Sequence, residues 1–276
     1  MNTQEFIRQK KRHKKWVMVT AYDTPTAEIL DAAGVDFVLV GDSVGMVVLG
    51  YPTTTGVTMD EMIHHAKAVR RGTRRAKLIG DLPLSGITKG AAHALESAQR
   101  FIEEARCDAV KLEWGRKTPE ILRKLVRYKI PVMGHVGLTP QTVDPKSGFK
   151  VRGKSAESAL TIFKQAHFFE KHGAFAVLLE CIPGPLSRVI TKTLKVPTIG
   201  IGAGRFCDGQ VLVFHDLVGL FTRFKPLHVK RYAEGRLIFE KAVSRFSKEV
   251  KNGKFPDKRH SFQMDPKEFS RWERLL

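Results

Sequence analysis

Eight apolar, β-branched runs recur along this chain, and a segment of helical spacing follows most of them. The runs are WVMVTAY (16–22), VDFVLVG (35–41), AKLIGDLP (76–83), DAVKLEW (108–114), IPVMGHVG (130–137), AFAVLLECI (174–182), VPTIGIGA (196–203) and GQVLVFHD (209–216). They are nearly continuous in apolar residues rather than alternating, the pattern of strands buried on both faces in a parallel sheet. Helical segments lie at 24–34, 58–72, 89–105, 118–128, 155–173 and 184–194. The first opens on Thr24-Pro25 and closes on Gly34, which is helix-cap chemistry. Strand–helix alternation implies a parallel α/β sheet. Eight such units in 276 residues fit a (β/α)8 TIM barrel, whose usual size is about 250 residues. A doubly wound open sheet satisfies the same periodicity. The expected organisation is one barrel domain over 1–276, with a basic N-terminal arm at 1–15 and C-terminal helices and tail from about 219 to 276.

The C-terminal ends of these runs carry polar groups. Tyr22-Asp23, Asp42-Ser43, Asp81, Lys111 with Glu113, His135, Glu180 and His215-Asp216 all fall there. Lys111 and Glu113 are two apart on one strand and therefore share a face. In a barrel these ends converge on one mouth, where active sites of the architecture lie. Crowded carboxylates repel one another unless a cation joins them or some take up protons. Taken singly, each residue has a plainer reading: an Asx-turn at Asp42-Ser43, a loop cap at Asp81, an ion pair between Lys111 and Glu113. His215-Asp216 reads better as structural than as functional, and His64-His65 as surface or core. GIGAGR (200–205) is a strand-end turn, not a complete dinucleotide fingerprint.

Charge and cysteines narrow the classes. Lys and Arg number 47 against 28 Asp and Glu, a net charge of +19. The basic residues are dispersed over the arm, 70–75, 146–154 and the last part of the chain, with no zinc-finger, ribonucleoprotein or helix-turn-helix pattern, so no nucleic-acid partner is expected. No apolar run is long enough to span a bilayer, and the basic N-terminus lacks the apolar core of a secretory signal. Cys107, Cys181 and Cys207 match no metal spacing and read as reduced thiols, which suits a cytoplasmic protein.

Longer motifs carry a family resemblance. The segment TAYDTPTAEILDAAGVDFVLVGDSVGMVVLGYPTT resembles the N-terminal signature of ketopantoate hydroxymethyltransferase (3-methyl-2-oxobutanoate hydroxymethyltransferase). So do HHAKAVRRG, GDLPL, VKLEWG, PVMGHVGLTPQTV, GFKVRG, LLECIP, IGIGAGRFCDGQVLVFHDLVGL and NGKFPDKRHSF, in order along the chain. The resemblance implies a barrel of the phosphoenolpyruvate/pyruvate type. It implies transfer of a hydroxymethyl group from 5,10-methylenetetrahydrofolate to 3-methyl-2-oxobutanoate through a metal-stabilised enolate, in pantothenate biosynthesis. It also implies a divalent ion, usually Mg2+, and a homodecamer of two pentameric rings. By matching motif, Asp42, Asp81 and Glu113 fall on the metal positions. Asp42, Ser43, Asp81, Lys111 and His135 fall on positions that hold the oxo acid, and Glu180 falls on the general base.

Two departures stand out. Trp114-Gly115 replaces the family's usual Gly-Gly, an expected disturbance of the loop beside Glu113. LSGIT (84–88) replaces an aromatic-containing run after GDLP. The rival chemistry is a 2-oxo-acid aldolase or lyase of the same barrel group, in one form using Lys111 as a Schiff-base nucleophile. The cysteine-bearing loop motif of the mutase and isocitrate lyase relatives is absent from the sequence.

Overall fold

The computed structural model describes residues 1–142 and 150–276; part of the basic stretch 146–154 and of the GFKVRG motif lies outside the described residues. Eight strands close into a parallel barrel in sequence order. They are β1 (Trp16–Thr20), β2 (Phe37–Val40), β3 (Lys77–Asp81), β4 (Ala109–Glu113), β5 (Val132–Gly137), β6 (Ala176–Glu180), β7 (Thr198–Ile201) and β8 (Gly209–Leu212). β8 returns to β1 with Trp16 beside Gly209, so no edge is left open. The closed ring excludes the open-sheet alternative.

The helices are α1 (Thr3–Lys11), α2 (Thr24–Ala32), α3 (Val44–Val47), α4 (Met59–Gly72), α5 (Leu84–Ile87), α6 (Ala91–Glu103), α7 (Thr118–Arg127) and α8 (Ala156–Lys171). They continue with α9 (Gly184–Thr193), α10 (Phe214–Leu217), α11 (Gly235–Lys251) and α12 (Pro266–Glu273). Local chemistry explains their starts. Thr58 and Glu61 form a reciprocal capping box on α4. Asp23, not Thr24, caps α2 by accepting from the Thr26 N–H. That use removes Asp23 from the set of groups available at the barrel mouth.

Alternate residues of each strand point inward and build two stories. The lower one is apolar: Trp16, Met18, Phe37, Leu39, Ile79, Met133, Leu178, Ile199 and Val211 belong to one buried cluster. Continuing the same parity upward gives Asp81, Lys111, Glu113, His135 and Glu180. The other parity faces the helices and forms the larger core. Two helices approach so closely that only glycine fits beneath them. A Cβ on Gly80 would meet the Phe101 ring at 2.3 Å, and one on Gly134 would meet Phe169 at 2.3 Å. Gly134→Ala should lower stability by roughly 1–3 kcal/mol through overpacking, read as a drop in urea midpoint with the m-value unchanged.

The N-terminal arm is not merely a charged extension. It forms α1, whose Phe6 ring lies over Phe37 at 5.8 Å and Phe175 at 5.3 Å, beneath the apolar story. Lys10 pins the helix by pairing with Asp208 at 3.0 Å and donating to the Thr191 and Val196 carbonyls. β8 ends sooner than its apolar run suggests. The chain turns into α10 at Phe214, whose N–H donates to Thr20 Oγ1 at 3.0 Å, so His215 and Asp216 sit on a helical turn rather than on a strand end.

Candidate active site

Strand register brings the charged residues together. Asp81 lies beside Lys111, Glu113 beside His135, and Glu180 beside Gly137. Lys111 Nζ is 2.8 Å from Asp81 Oδ1 and 3.6 Å from Glu113 Oε1. His135 Nδ1 is 3.2 Å from Glu113 Oε1, and its Nε2 is 3.1 Å from Glu180 Oε2. Asp42 follows β2 and joins the group through its backbone, whose N–H donates to Asp81 Oδ2 at 3.1 Å. Six of the residues singled out in the sequence thus form one continuous network across five strands. Asp42, Asp81, Lys111, Glu113 and His135 are all buried, whereas the Glu180 side chain is 20% exposed. Ser43 stands beside this network and bonds Tyr22 Oη at 2.7 Å.

Burial is the largest influence on each of the five buried members, and the neighbours add to it or oppose it. Burial and the charges of Asp81 and Glu113 push the Asp42 carboxyl well above its usual range. Burial raises Asp81 as well, with Lys111 opposing and Glu113 reinforcing it. For Glu113, burial is outweighed by Lys111 and His135, which hold its carboxyl below the ordinary value. Burial alone would neutralise Lys111, but Asp81, Glu113 and Asp42 overcome it and keep the ammonium charged. His135 is likewise carried up to about 9: burial and Lys111 oppose its charge, and Glu113 and Glu180 restore it. Its Nδ1 also lies 3.3 Å from Lys111 Nζ, and its Nε2 faces Glu180 without an aligned hydrogen bond.

Among the described residues, no group of three or more His, Cys, Asp or Glu is gathered closely enough to hold a metal by itself. The donor set nonetheless fits Mg2+, which takes one or two carboxylates and completes its shell with water and substrate oxygens. Asp42 and Asp81 are adjacent, hard-oxygen donors whose buried charges repel. Asp81 Oδ1 touches Lys111 but accepts no aligned hydrogen bond, leaving it available to a cation.

Sequence reasoning missed one member. Gln141, buried in the loop after β5, donates from Nε2 to Asp42 Oδ2 at 3.0 Å and to the Leu82 carbonyl at 2.9 Å. Its backbone N–H donates to Glu113 Oε2 at 3.2 Å. A loop residue has no periodicity to betray it, so no local signal separated Gln141 from an ordinary turn residue. The Trp114 ring does not enter the site. Its ring packs edge-on against Phe168 and Phe169 at 5.5 and 5.6 Å, between β4 and α8, on the helix side of the barrel wall.

Ser43 and Glu180 also line a cavity of about 330 Å³, which continues along Leu138, Cys181 and Ile201 to the segment after β8. The site is therefore a row of buried charges opening on a largely apolar chamber, at the C-terminal ends of the strands.

Known proteins resemble this chain in fold and in sequence. Solved structures share the fold at low identity: phosphonopyruvate hydrolase superposes with a TM-score of 0.58 at 13% identity, covering 100% of this chain and 97% of that one. A 2,3-dimethylmalate lyase of the phosphoenolpyruvate mutase/isocitrate lyase superfamily gives 0.57 at 12%, covering 99% and 94%. Sequence similarity is far stronger elsewhere. The 3-methyl-2-oxobutanoate hydroxymethyltransferase of Oleidesulfovibrio alaskensis is 51% identical over 97% of this chain and 92% of its own length. The enzyme of that name from Acetivibrio thermocellus is 49% identical over 95% and 93%. The family model for ketopantoate hydroxymethyltransferase matches residues 1–258, so the chain belongs to the ketopantoate hydroxymethyltransferase family.

Proposed function

We propose that this chain transfers a hydroxymethyl group from 5,10-methylenetetrahydrofolate to 3-methyl-2-oxobutanoate, giving 2-dehydropantoate. The observation that carries the reading is the His135–Glu180 pair at the cavity wall, 3.1 Å apart and continuous with the buried Asp81–Lys111–Glu113 group. Family membership and the names of the relatives support the oxo acid and the transferred hydroxymethyl group; the folate donor is part of the proposal. Asp42 and Asp81 would hold Mg2+, with Glu113 beside them as the third acidic group. When bound, the ion draws charge from the carboxylate and keto oxygens of the oxo acid and so makes the C3 proton more acidic.

The chain's own groups do the rest. Lys111 and Ser43 bind the oxo-acid oxygens, one as a fixed charge and the other as a hydroxyl donor. Gln141 keeps Asp42 oriented by occupying its Oδ2. His135 Nε2 faces Glu180 Oε2 at 3.1 Å and would orient it. Glu180 takes the proton from C3. Water opens the methylene bridge: both carbon–nitrogen bonds of the one-carbon unit break, the water oxygen stays on the carbon as formaldehyde, and the two water protons go to N5 and N10 of the departing tetrahydrofolate. The electron pair left at C3 then forms the carbon–carbon bond to that carbon, and the new alkoxide takes the proton back from Glu180.

A Schiff-base mechanism at Lys111 is disfavoured on physical grounds. A nucleophilic lysine needs a depressed pKa, whereas three surrounding carboxylates hold this one charged. The decisive experiment measures ketopantoate formation with Mg2+, with a chelator, and with borohydride plus substrate. Chelation should abolish turnover and borohydride should trap nothing; the reverse pattern overturns the reading. In parallel, Mg2+ at about 100 times its Kd should stabilise the folded protein by about 2.7 kcal/mol, seen as a rise in Tm. Asp42→Asn should lose that rise.

The same reading includes a cytoplasmic homodecamer of two pentameric rings. No described helix is long and apolar enough to cross a membrane. Phe239, Val243, Phe246 and Val250 form one stripe on α11 and are all exposed in the single chain, which suits a face covered by further copies. Sedimentation should give the decameric mass for the native protein, and Phe239→Asp/Phe246→Asp should shift it to smaller species.

A further inference from the structure

The cavity that Ser43 and Glu180 open into has a second wall, built by Val213, Asp216, Phe221, Phe224 and His228 from the segment after β8. The chemistry assigned to the oxo acid uses none of these residues. Asp216 is the unusual one. It sits on α10, where its own N–H donates to the Val213 carbonyl at 3.1 Å. Its carboxyl makes no hydrogen bond or ion pair among the described residues. Arg231, whose charge reaches it from a distance, is committed to Glu234 at 3.6 Å and to the Phe221 carbonyl at 3.1 Å. Around it the wall is apolar and aromatic, with the Phe221 and Phe224 rings edge-to-face at 5.1 Å. A bare carboxylate in such a wall asks for a flat ligand with an apolar body and a pair of N–H donors on one edge.

Resting on the transferase reading, we propose that this wall seats the heterocycle of the folate co-substrate, with Asp216 accepting the paired N–H groups of its 2-amino-4-oxopteridine. The ring N3–H and the 2-amino group are parallel donors, spaced like the two arms of a guanidinium, and a carboxylate meets them through both oxygens. The aromatic wall covers the ring face. Because the same cavity includes Glu180, a pteridine held there presents its one-carbon unit to the carbon that Glu180 deprotonates. A volume of about 330 Å³ suits the bicyclic head and leaves the glutamyl tail in solvent. Burial holds the unpaired carboxyl up to about 6, and bound N–H donors would offset that cost.

The test is calorimetric titration of the full chain with tetrahydrofolate and with its 2-desamino analogue. The wild-type protein should bind tetrahydrofolate about 10- to 100-fold more tightly than the analogue, the range for a hydrogen bond to a charged group. Asp216→Asn and Asp216→Ala should each lose that preference and weaken tetrahydrofolate by a similar factor. The KM for 3-methyl-2-oxobutanoate should move less than about two-fold, because the damage is confined to one ligand. Equal affinity of the wild-type protein for both ligands overturns the proposal, and that arm needs no variant to fold. Unchanged tetrahydrofolate affinity in a folded Asp216→Ala protein overturns it as well. Exchange of the C3 proton of 3-methyl-2-oxobutanoate in D2O, without folate, tests the underlying reading separately. Failure of exchange in the wild-type protein removes the transferase chemistry, while the titration still reports on Asp216.

Discussion

Glu180→Gln should lower kcat by about 10²- to 10⁴-fold, the usual cost of a lost general base. The change is nearly isosteric, and the Gln carbonyl can still face His135, so the pocket keeps its shape and oxo-acid affinity should change little. C3 deuterium exchange should fall in parallel with overall turnover, because both need the same proton removed. Within the charged network no other member is placed to substitute. His135 is hemmed in by Lys111, Glu113 and Glu180, Lys111 is held charged by its three carboxylates, and Glu113 is engaged by Lys111, His135 and Gln141. A Glu180→Gln enzyme with full exchange activity would remove Glu180 from its role and with it the centre of the mechanism.

Lys111→Met should be the most destabilising single change in the site. The lysine is buried 2.8 Å from Asp81 and 3.6 Å from Glu113. Removing one partner of a buried pair leaves an uncompensated charge, which costs about 3–5 kcal/mol. The pH dependence has a definite sign. Asp42 and Asp81 already have folded-state pKa values above their ordinary ones; losing Lys111 raises Asp81 further and removes one of the charges that hold Glu113 below its ordinary value. A carboxyl raised on folding binds more protons folded than unfolded, so stability increases as pH falls toward its unfolded value near 4. The deficit measured by urea unfolding should therefore be larger at pH 8 than at pH 5, and added Mg2+ should recover part of it at pH 8. A deficit independent of pH and Mg2+ would show that lost packing, not charge, accounts for it.

The charged network was legible to different depths. The spacing of Lys111 and Glu113 placed both on one face of a strand, and β4 does point both inward. Asp81, His135 and Glu180 were legible as polar interruptions at the ends of apolar runs. Asp23 and the His215-Asp216 pair looked the same in sequence. Yet Asp23 is consumed as a helix cap, and the pair lies past the strand on a helical turn. Local sequence shows that a polar group interrupts a strand end; it does not show whether the nearest partner is a backbone N–H one turn away or a carboxylate from another strand. Trp114 illustrates the converse. It follows Glu113 directly, but neighbouring residues of a strand face opposite sides of the sheet, so its ring belongs to the helix layer.

By itself the sequence determined the repeating strand–helix order and the parallel pairing, because unbroken apolar runs must be buried on both faces; it fitted a barrel and an open doubly wound sheet alike, and the pairing of β8 with β1 decided for the ring. Its longer motifs also pointed to the family. The tertiary structure alone decided which strand-end groups touch. It joined Gln141 to Asp42 across 99 residues of chain, laid α1 under the barrel, and left the Asp216 carboxyl on the cavity wall without a hydrogen-bond or ion-pair partner among the described residues. Those outcomes depend on register and closure, which bring residues distant in the chain within a few ångströms. Periodicity, a property of neighbours along one strand or helix, carries no information about them.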